Sequence, residues 1–201
     1  MNPSHRHAVL ALFGKGLLSF LLASPPVAAQ GLPSDMPAQL VPVTAAVDYV
    51  KREVMIPMRD GVKLRAVVVI PKGATEAPII LTRTPYGAKK PTTQSSSPHA
   101  AMVLPLADES LLEAGYIRVY QDVRGRFDSE GEYVMTLPLR GELNRRKVDQ
   151  ATDTYDTIEW LLQHVPGHNG RVGMWGISYP GFYVAAALPG GLLVVSAAWL
   201  L

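Results

Sequence analysis

Polar and apolar positions alternate from Asp48 to Met58, with Tyr49, Lys51 and Glu53 against Val50, Val54 and Ile56. That period predicts a strand. Arg59-Asp60-Gly61 is a turn signal, and Val62 to Ile70 follows as a second strand, so the two predict a hairpin around an Asp-Gly turn. Pro78 to Thr82 is apolar enough for a third strand buried on both faces. Thr92 to Pro98 reads as a polar surface loop, and Met102 to Ala114 as a helix stopped by Gly115. Tyr116 to Tyr120 is a fourth strand, and Gly125 to Lys147 a long polar segment with several turns. Asp149 to Val165 is the clearest helix. Asp149, Asp153 and Asp156 crowd its front end, where negative charge suits the dipole, and Tyr155, Ile158, Leu161, Leu162 and Val165 recur as one buried face. Pro166-Gly167 ends it, Val172 to Trp175 is a fifth strand, and Phe182 to Leu188 a buried helix. No internal repeat is present.

Strands alternating with helices predict an α/β fold: a mostly parallel sheet covered on both faces. Sites in such sheets lie at the carboxyl ends of the strands. Three segments meet that description: Thr84 to Gly87, Asp122 to Gly131, and Ser178-Tyr179.

The last of these carries the sharpest signal. Gly176-Ile177-Ser178-Tyr179-Pro180-Gly181 joins the fifth strand to the following helix. A serine on a tight strand-to-helix turn between glycines has the form of a nucleophile elbow. Small neighbours are needed because bulky ones clash in so tight a turn. The residue after the serine opens a helix, so its N–H and the helix dipole face a developing oxyanion. Pro180 suits the first helical turn, where its missing N–H is no loss. It also stands where the usual motif has its second glycine, which here comes one residue later. The bland alternative is a buried turn with a bystander serine.

Composition narrows the setting. The chain has 201 residues, 48% hydrophobic and 18% charged, an ordinary globular balance with room for one domain and a core. It has no cysteine, which removes disulfides, thiolate metal sites, a cysteine nucleophile and a lipoprotein anchor. His5, Arg6 and His7, then a mostly apolar Ala8 to Ala23, then Val27-Ala28-Ala29, predict a secretory signal peptide over residues 1–29 with Gln30 as the first mature residue. The apolar run is broken by Gly14-Lys15-Gly16 and is short for a membrane span. The expected localisation is secreted or periplasmic, with no membrane contact after cleavage. Residues 30–46 read as a flexible lead-in rich in Pro and Ala. Without residues 1–29 the chain has 17 basic and 17 acidic side chains, so nothing points to nucleic acid as a partner.

A nucleophilic Ser178 needs oxyanion donors. The Tyr179 backbone N–H is one. The loop after the third strand, Arg83-Thr84-Pro85-Tyr86-Gly87, holds Tyr86, whose phenol O–H is either a second donor or merely solvated. Asp122 to Glu132 is rich in carboxylates, yet its spacing misses an EF-hand loop, and an Asp–Arg network fixing a loop is the better reading. His164 and His168 are separated by the helix-breaking Pro166-Gly167 and read as surface histidines rather than a metal pair. No cofactor or metal is expected.

These segments resemble a known family. Val54-Met55-Ile56-Pro57-Met58-Arg59-Asp60-Gly61, Leu81-Thr82-Arg83-Thr84-Pro85-Tyr86, Gln121-Asp122-Val123-Arg124-Gly125-Arg126 with Ser129-Glu130-Gly131, and Asn169-Gly170-Arg171-Val172-Gly173 leading into Gly176-Ile177-Ser178-Tyr179 are similar, in that order, to the X-Pro dipeptidyl-peptidase/cocaine esterase (CocE/NonD) superfamily of serine hydrolases. Within it, the α-amino acid ester hydrolases are most similar, over about Val47 to Leu188. The resemblance implies an α/β-hydrolase core, a helical cap and a C-terminal jelly roll. It implies Ser178 as nucleophile, with the Tyr86 hydroxyl and the Tyr179 N–H as the oxyanion hole. It implies small-molecule esters or amides of α-amino acids as substrates, α-amino β-lactams included, with acyl transfer where an amine intercepts the acyl-enzyme. It also implies that full-length members can form homo-oligomers.

The chain departs from the family after the elbow. The triad order is Ser, then Asp or Glu, then His, and residues 179–201 contain none of the three acidic or imidazole types. Glu159, His164, His168 and His99 all lie upstream, none placed to act as base. Residues 47–201 therefore read as the N-terminal part of the hydrolase core, without cap or jelly roll, and Pro189 to Leu201 as either a sixth strand or residues past a frameshift. The expectation is a truncated serine hydrolase. The alternatives are a non-catalytic remnant and a broader esterase or X-Pro dipeptidyl-peptidase.

Overall fold

The computed structural model of the chain describes residues 48–190 and 196–199. The signal peptide expected over 1–29 and the lead-in over 30–46 lie outside the described residues, as do parts of the final segment.

Six strands form one sheet in the order β1-β2-β4-β3-β5-β6. The predicted hairpin is β1 (Tyr49–Pro57) against β2 (Lys63–Pro71), antiparallel and in register from Tyr49↔Pro71 to Pro57↔Lys63. The loop between them places Gly61 at φ 85, the left-handed conformation that glycine adopts without a steric penalty. β3 (Ala77–Thr84), β4 (Ile117–Asp122), β5 (His168–Ile177) and β6 (Ser196–Trp199) run parallel to one another. The fifth strand is longer at both ends than its apolar stretch suggested, and the last segment contributes a sixth strand paired with β5.

Period-two alternation divides the core between two faces. Ala66, Val68, Ile79, Leu81, Ile117, Val119 and Met174 pack under Ile158, Leu161, Val165, Val184 and Ala187 of the helical layer. On the opposite face Val67, Val69 and Tyr120 meet Ala88, Ala100, Leu104 and Leu112. Helix α1 spans only Glu109–Glu113, preceded by short 3-10 turns, and the continuous helix expected from Met102 to Ala114 does not form. Pro105 explains it: the residue has φ −57 and ψ 147, lacks an N–H, and its ring obstructs a continuous helix on its N-terminal side. Beside this segment Arg118, fully buried on β4, donates to the Ile80 carbonyl at 2.7 Å and pairs with Asp108 at 3.0 Å.

Helix α2 (Gln150–His164) starts on a capping box: Asp149 accepts from the Thr152 N–H at 2.8 Å while the Thr152 hydroxyl accepts from the Asp149 N–H at 2.8 Å. Its buried face differs from the one expected. Ile158, Leu161 and Val165 are buried, but Tyr155 points to solvent, and Gln150, Asp153, Thr154 and Thr157 are buried in its place. These polar groups receive Arg83 from β3: its Nε donates to Gln121 at 2.9 Å, and its Nη1 to the Gln150 carbonyl at 2.9 Å and to Thr154 at 2.8 Å. Among the described residues no helix is long and apolar enough to cross a membrane.

Candidate active site

β3, β4 and β5 are parallel, so their carboxyl ends share one edge of the sheet. The three segments singled out from the sequence leave from that edge.

β5 ends at Ile177, and helix α3 begins at Tyr179 (Tyr179–Ala187). Ser178 alone makes the turn, at φ 59 and ψ −125. A non-glycine residue in that region carries about 1–3 kcal/mol of strain and persists only where its surroundings over-determine it. Gly176 shows how tight those surroundings are. A Cβ there would lie 2.5 Å from the carbonyl carbon of Pro180. A Cβ on Gly181 would lie 3.0 Å from the Gly176 carbonyl oxygen. The glycine displaced by one place is thus matched to Pro180, which packs on the bare face of Gly176. An N-cap serine ordinarily turns its hydroxyl onto the first-turn N–H groups. Ser178 does not, so its Oγ is not spent on the helix. Among the described residues the Tyr179 N–H has no acceptor, as expected of a first-turn amide.

The loop after β3 is held by several backbone hydrogen bonds. The Tyr86 N–H donates to Thr84 Oγ1 at 3.0 Å, the Val123 N–H to the Thr84 carbonyl at 3.1 Å, Arg126 Nε to the Pro85 carbonyl at 3.2 Å, and the Ala88 N–H to Asp122 Oδ1 at 2.7 Å. The Tyr86 side chain, 53% exposed, projects from this fixed backbone. It lines a cavity of about 270 Å³ together with Thr84, Trp175, Gly176, Ile177 and Pro180. Tyr86 and the residues flanking Ser178 therefore share one groove. A larger groove of about 510 Å³ lies at the opposite ends of the strands, around Ile80, Tyr116 and Val172, away from the elbow.

The third segment is the Asp–Arg network that its composition suggested. Arg124 bridges Asp153 at 2.7 Å and Asp60 at 2.8 Å, which ties the loop after β4 to α2 and to the hairpin turn. Arg65 pairs with Asp128 at 3.2 Å. Burial, with the Asp128 charge adding to it against the Ala88 hydrogen bond, pushes the Asp122 carboxyl up to about 6. Its part in clamping the loop of Tyr86 was not visible in the sequence.

A cluster of phenols behind the elbow was also missed. The Tyr179 hydroxyl donates to the Met135 carbonyl at 2.5 Å, and its ring meets Tyr183 at 5.2 Å. Burial first, then interaction with Tyr133, raises the phenols of Tyr179 and Tyr183 above the ordinary tyrosine range, so both stay protonated. The helical spacing of Tyr179 and Tyr183 is the only signal that could have indicated it.

The histidines are engaged elsewhere. His164 stacks on Trp160 at 4.4 Å, and His99 faces Asp48 at 3.4 Å. The Gly170 N–H donates to His168 Nδ1 at 2.9 Å, which leaves Nε2–H to donate to the Leu162 carbonyl at 3.0 Å. Among the described residues none is hydrogen-bonded to Ser178.

Residues 60–198 match the model of the X-Pro dipeptidyl-peptidase (S15) family. The chain is 33% identical over 150 residues to the cocaine esterase of Rhodococcus sp. (strain MB1 Bresler), covering 73% of this chain and 23% of that protein. Among solved structures, an α-amino acid ester hydrolase is 55% identical with a TM-score of 0.69, over 82% of this chain and 26% of the other. An aminopeptidase from the marine sediment archaeon Thaumarchaeota archaeon is 49% identical with a TM-score of 0.66, over 78% and 26%. The chain spans about a quarter of the length of these relatives.

Proposed function

The chain belongs to the X-Pro dipeptidyl-peptidase (S15) family of the serine hydrolase superfamily, and we propose that within it Ser178 is the nucleophile of a hydrolase that cleaves esters or amides of α-amino acids. Two of its most similar solved relatives are described as acting on such groups, an α-amino acid ester hydrolase and an aminopeptidase. In both names the acyl part carries a free α-amino group.

The observation that carries the reading is the backbone of Ser178, held at φ 59 and ψ −125 with no hydroxyl cap on the helix, between Ile177 and Pro180, which line the groove with Tyr86. In the reaction Ser178 Oγ attacks the acyl carbonyl. Negative charge grows on the carbonyl oxygen, where the Tyr179 N–H and the Tyr86 O–H serve as donors. Collapse expels the alcohol or amine and leaves an ester on Ser178, which water hydrolyses or an amine, such as a β-lactam nucleus, takes over. The serine proton requires a base. None of the three described histidines serves, and residues 179–201 hold no His, Asp or Glu. That last fact favours a second reading, in which the 201-residue chain by itself is catalytically inert. The N-terminal pattern supports export with cleavage after Ala29.

The test uses the full-length product of the gene that encodes this sequence and a phenylglycine ester. Hydrolysis is expected, with Ser178→Ala removing it and Tyr86→Phe lowering kcat by about 10²–10³-fold, the usual cost of one oxyanion donor. An active Ser178→Ala protein contradicts the proposal.

A further inference from the structure

Phe127 is an aromatic residue in a conformation that aromatic residues avoid. Its φ is 48, and the residue is 54% exposed. An exposed side chain on a strained backbone is not explained by packing. Two cations share the ring: Lys90 Nζ lies 5.4 Å from its centroid and the Arg126 guanidinium carbon 5.3 Å. Each is at cation–π distance, and Arg126 also lies 5.1 Å from the Tyr133 ring.

The cluster sits against the loop of Tyr86. A Cβ on Gly87 would be 3.4 Å from both Lys90 Cγ and Phe127 Cε1. Arg126 Nε holds the Pro85 carbonyl at 3.2 Å. The residues on either side of Tyr86 are thus each touched by one of the two cations or its stem. Lys90 lines the groove with Tyr86, Gly176 and Pro180.

Among the described residues neither Lys90 nor Arg126 has a carboxylate within 4.0 Å. The neighbouring Asp128 is already paired with Arg65 at 3.2 Å and Lys89 at 3.4 Å, and Asp122 is turned to the Ala88 N–H. Two like charges within about one Debye length repel. An anion held near both would offset that repulsion. The same field repels an ammonium group, so a substrate with an α-ammonium on its acyl part enters with its other end, the leaving group, towards Lys90.

We propose that Lys90 and Arg126, stacked on Phe127, form a subsite for a carboxylate carried by the leaving group. The inference rests on the hydrolase reading above. Its test compares phenylglycine esters of 4-hydroxybenzoate and 4-hydroxybenzamide, leaving groups that differ in the carboxylate, on the full-length product. Lys90→Gln is expected to raise the KM of the anionic ester relative to the neutral one about three- to five-fold, the scale of one exposed ion pair. Lys90→Arg restores the ratio, and added salt erodes the wild-type preference. An unchanged KM ratio in Lys90→Gln overturns the subsite. Saturation-transfer NMR with free 4-hydroxybenzoate and 4-hydroxybenzamide reads the same preference without turnover. If neither ester is cleaved, the hydrolase reading fails, and the binding comparison still decides the subsite: a Lys90-dependent preference for the benzoate supports it, equal binding refutes it.

Discussion

Asp122 illustrates how much of the site depends on single residues outside the elbow. Its carboxylate fixes the Ala88 N–H, two residues beyond Tyr86, yet burial holds its pKa up at about 6, above the ordinary 3.8. The folded protein therefore binds this proton more tightly than the unfolded chain. Between pH of about 4 and 6 the folded state carries the extra proton, so this group's contribution to stability falls as pH rises through that window and stays low above it. Asp122→Asn keeps an acceptor for Ala88 and removes the charge. Relative to wild type, the variant is expected to gain stability as pH rises from 4 to 7, read as the shift in urea midpoint at each pH. Midpoints that stay parallel across that range contradict the account.

Among the elements, helix α2 shows what the hydrophobic pattern reveals and what it hides. Its boundaries were legible because the acidic residues Asp149, Asp153 and Asp156 at its front and the Pro166-Gly167 stop are local signals. Its buried face was only half legible. Ile158, Leu161 and Val165 follow helical spacing, whereas Asp153, Thr154 and Thr157 look like a solvated face until Arg83 and Gln121 arrive from β3 and β4. Those partners are non-local, so no window of sequence contains the pairing. The same holds for Arg118 and Asp108. The missed break at Pro105 was local, and its proline was the available signal. The network makes a strong demand on Asp153, which takes both Arg124 at 2.7 Å and, more loosely, Arg83 at 3.7 Å. Asp153→Ala leaves two buried guanidinium groups undercompensated, and removing one partner of a buried pair costs about 3–5 kcal/mol. Urea denaturation is expected to show a loss on that scale. A loss below about 1 kcal/mol would mean that solvent reaches these arginines freely.

For the molecule as a whole, the sheet brings Tyr86, the loop after Asp122 and Ser178 to one edge because β3, β4 and β5 run parallel. That assembly is legible in the sequence, since alternating strands and helices leave little choice about where the carboxyl ends gather. The cation cluster beside the groove is not, because Lys90, Phe127 and Arg126 meet only through folded loops. Because the chain spans about a quarter of its relatives' length, the central claim belongs to the full-length product. The most direct measurement is mass spectrometry of that protein, acid-quenched during turnover of a phenylglycine ester. The account predicts a mature chain beginning at Gln30 and a phenylglycyl adduct on the peptide containing Ser178, absent from Ser178→Ala. Turnover at the wild-type rate in Ser178→Ala, or an adduct on any other residue, would contradict it.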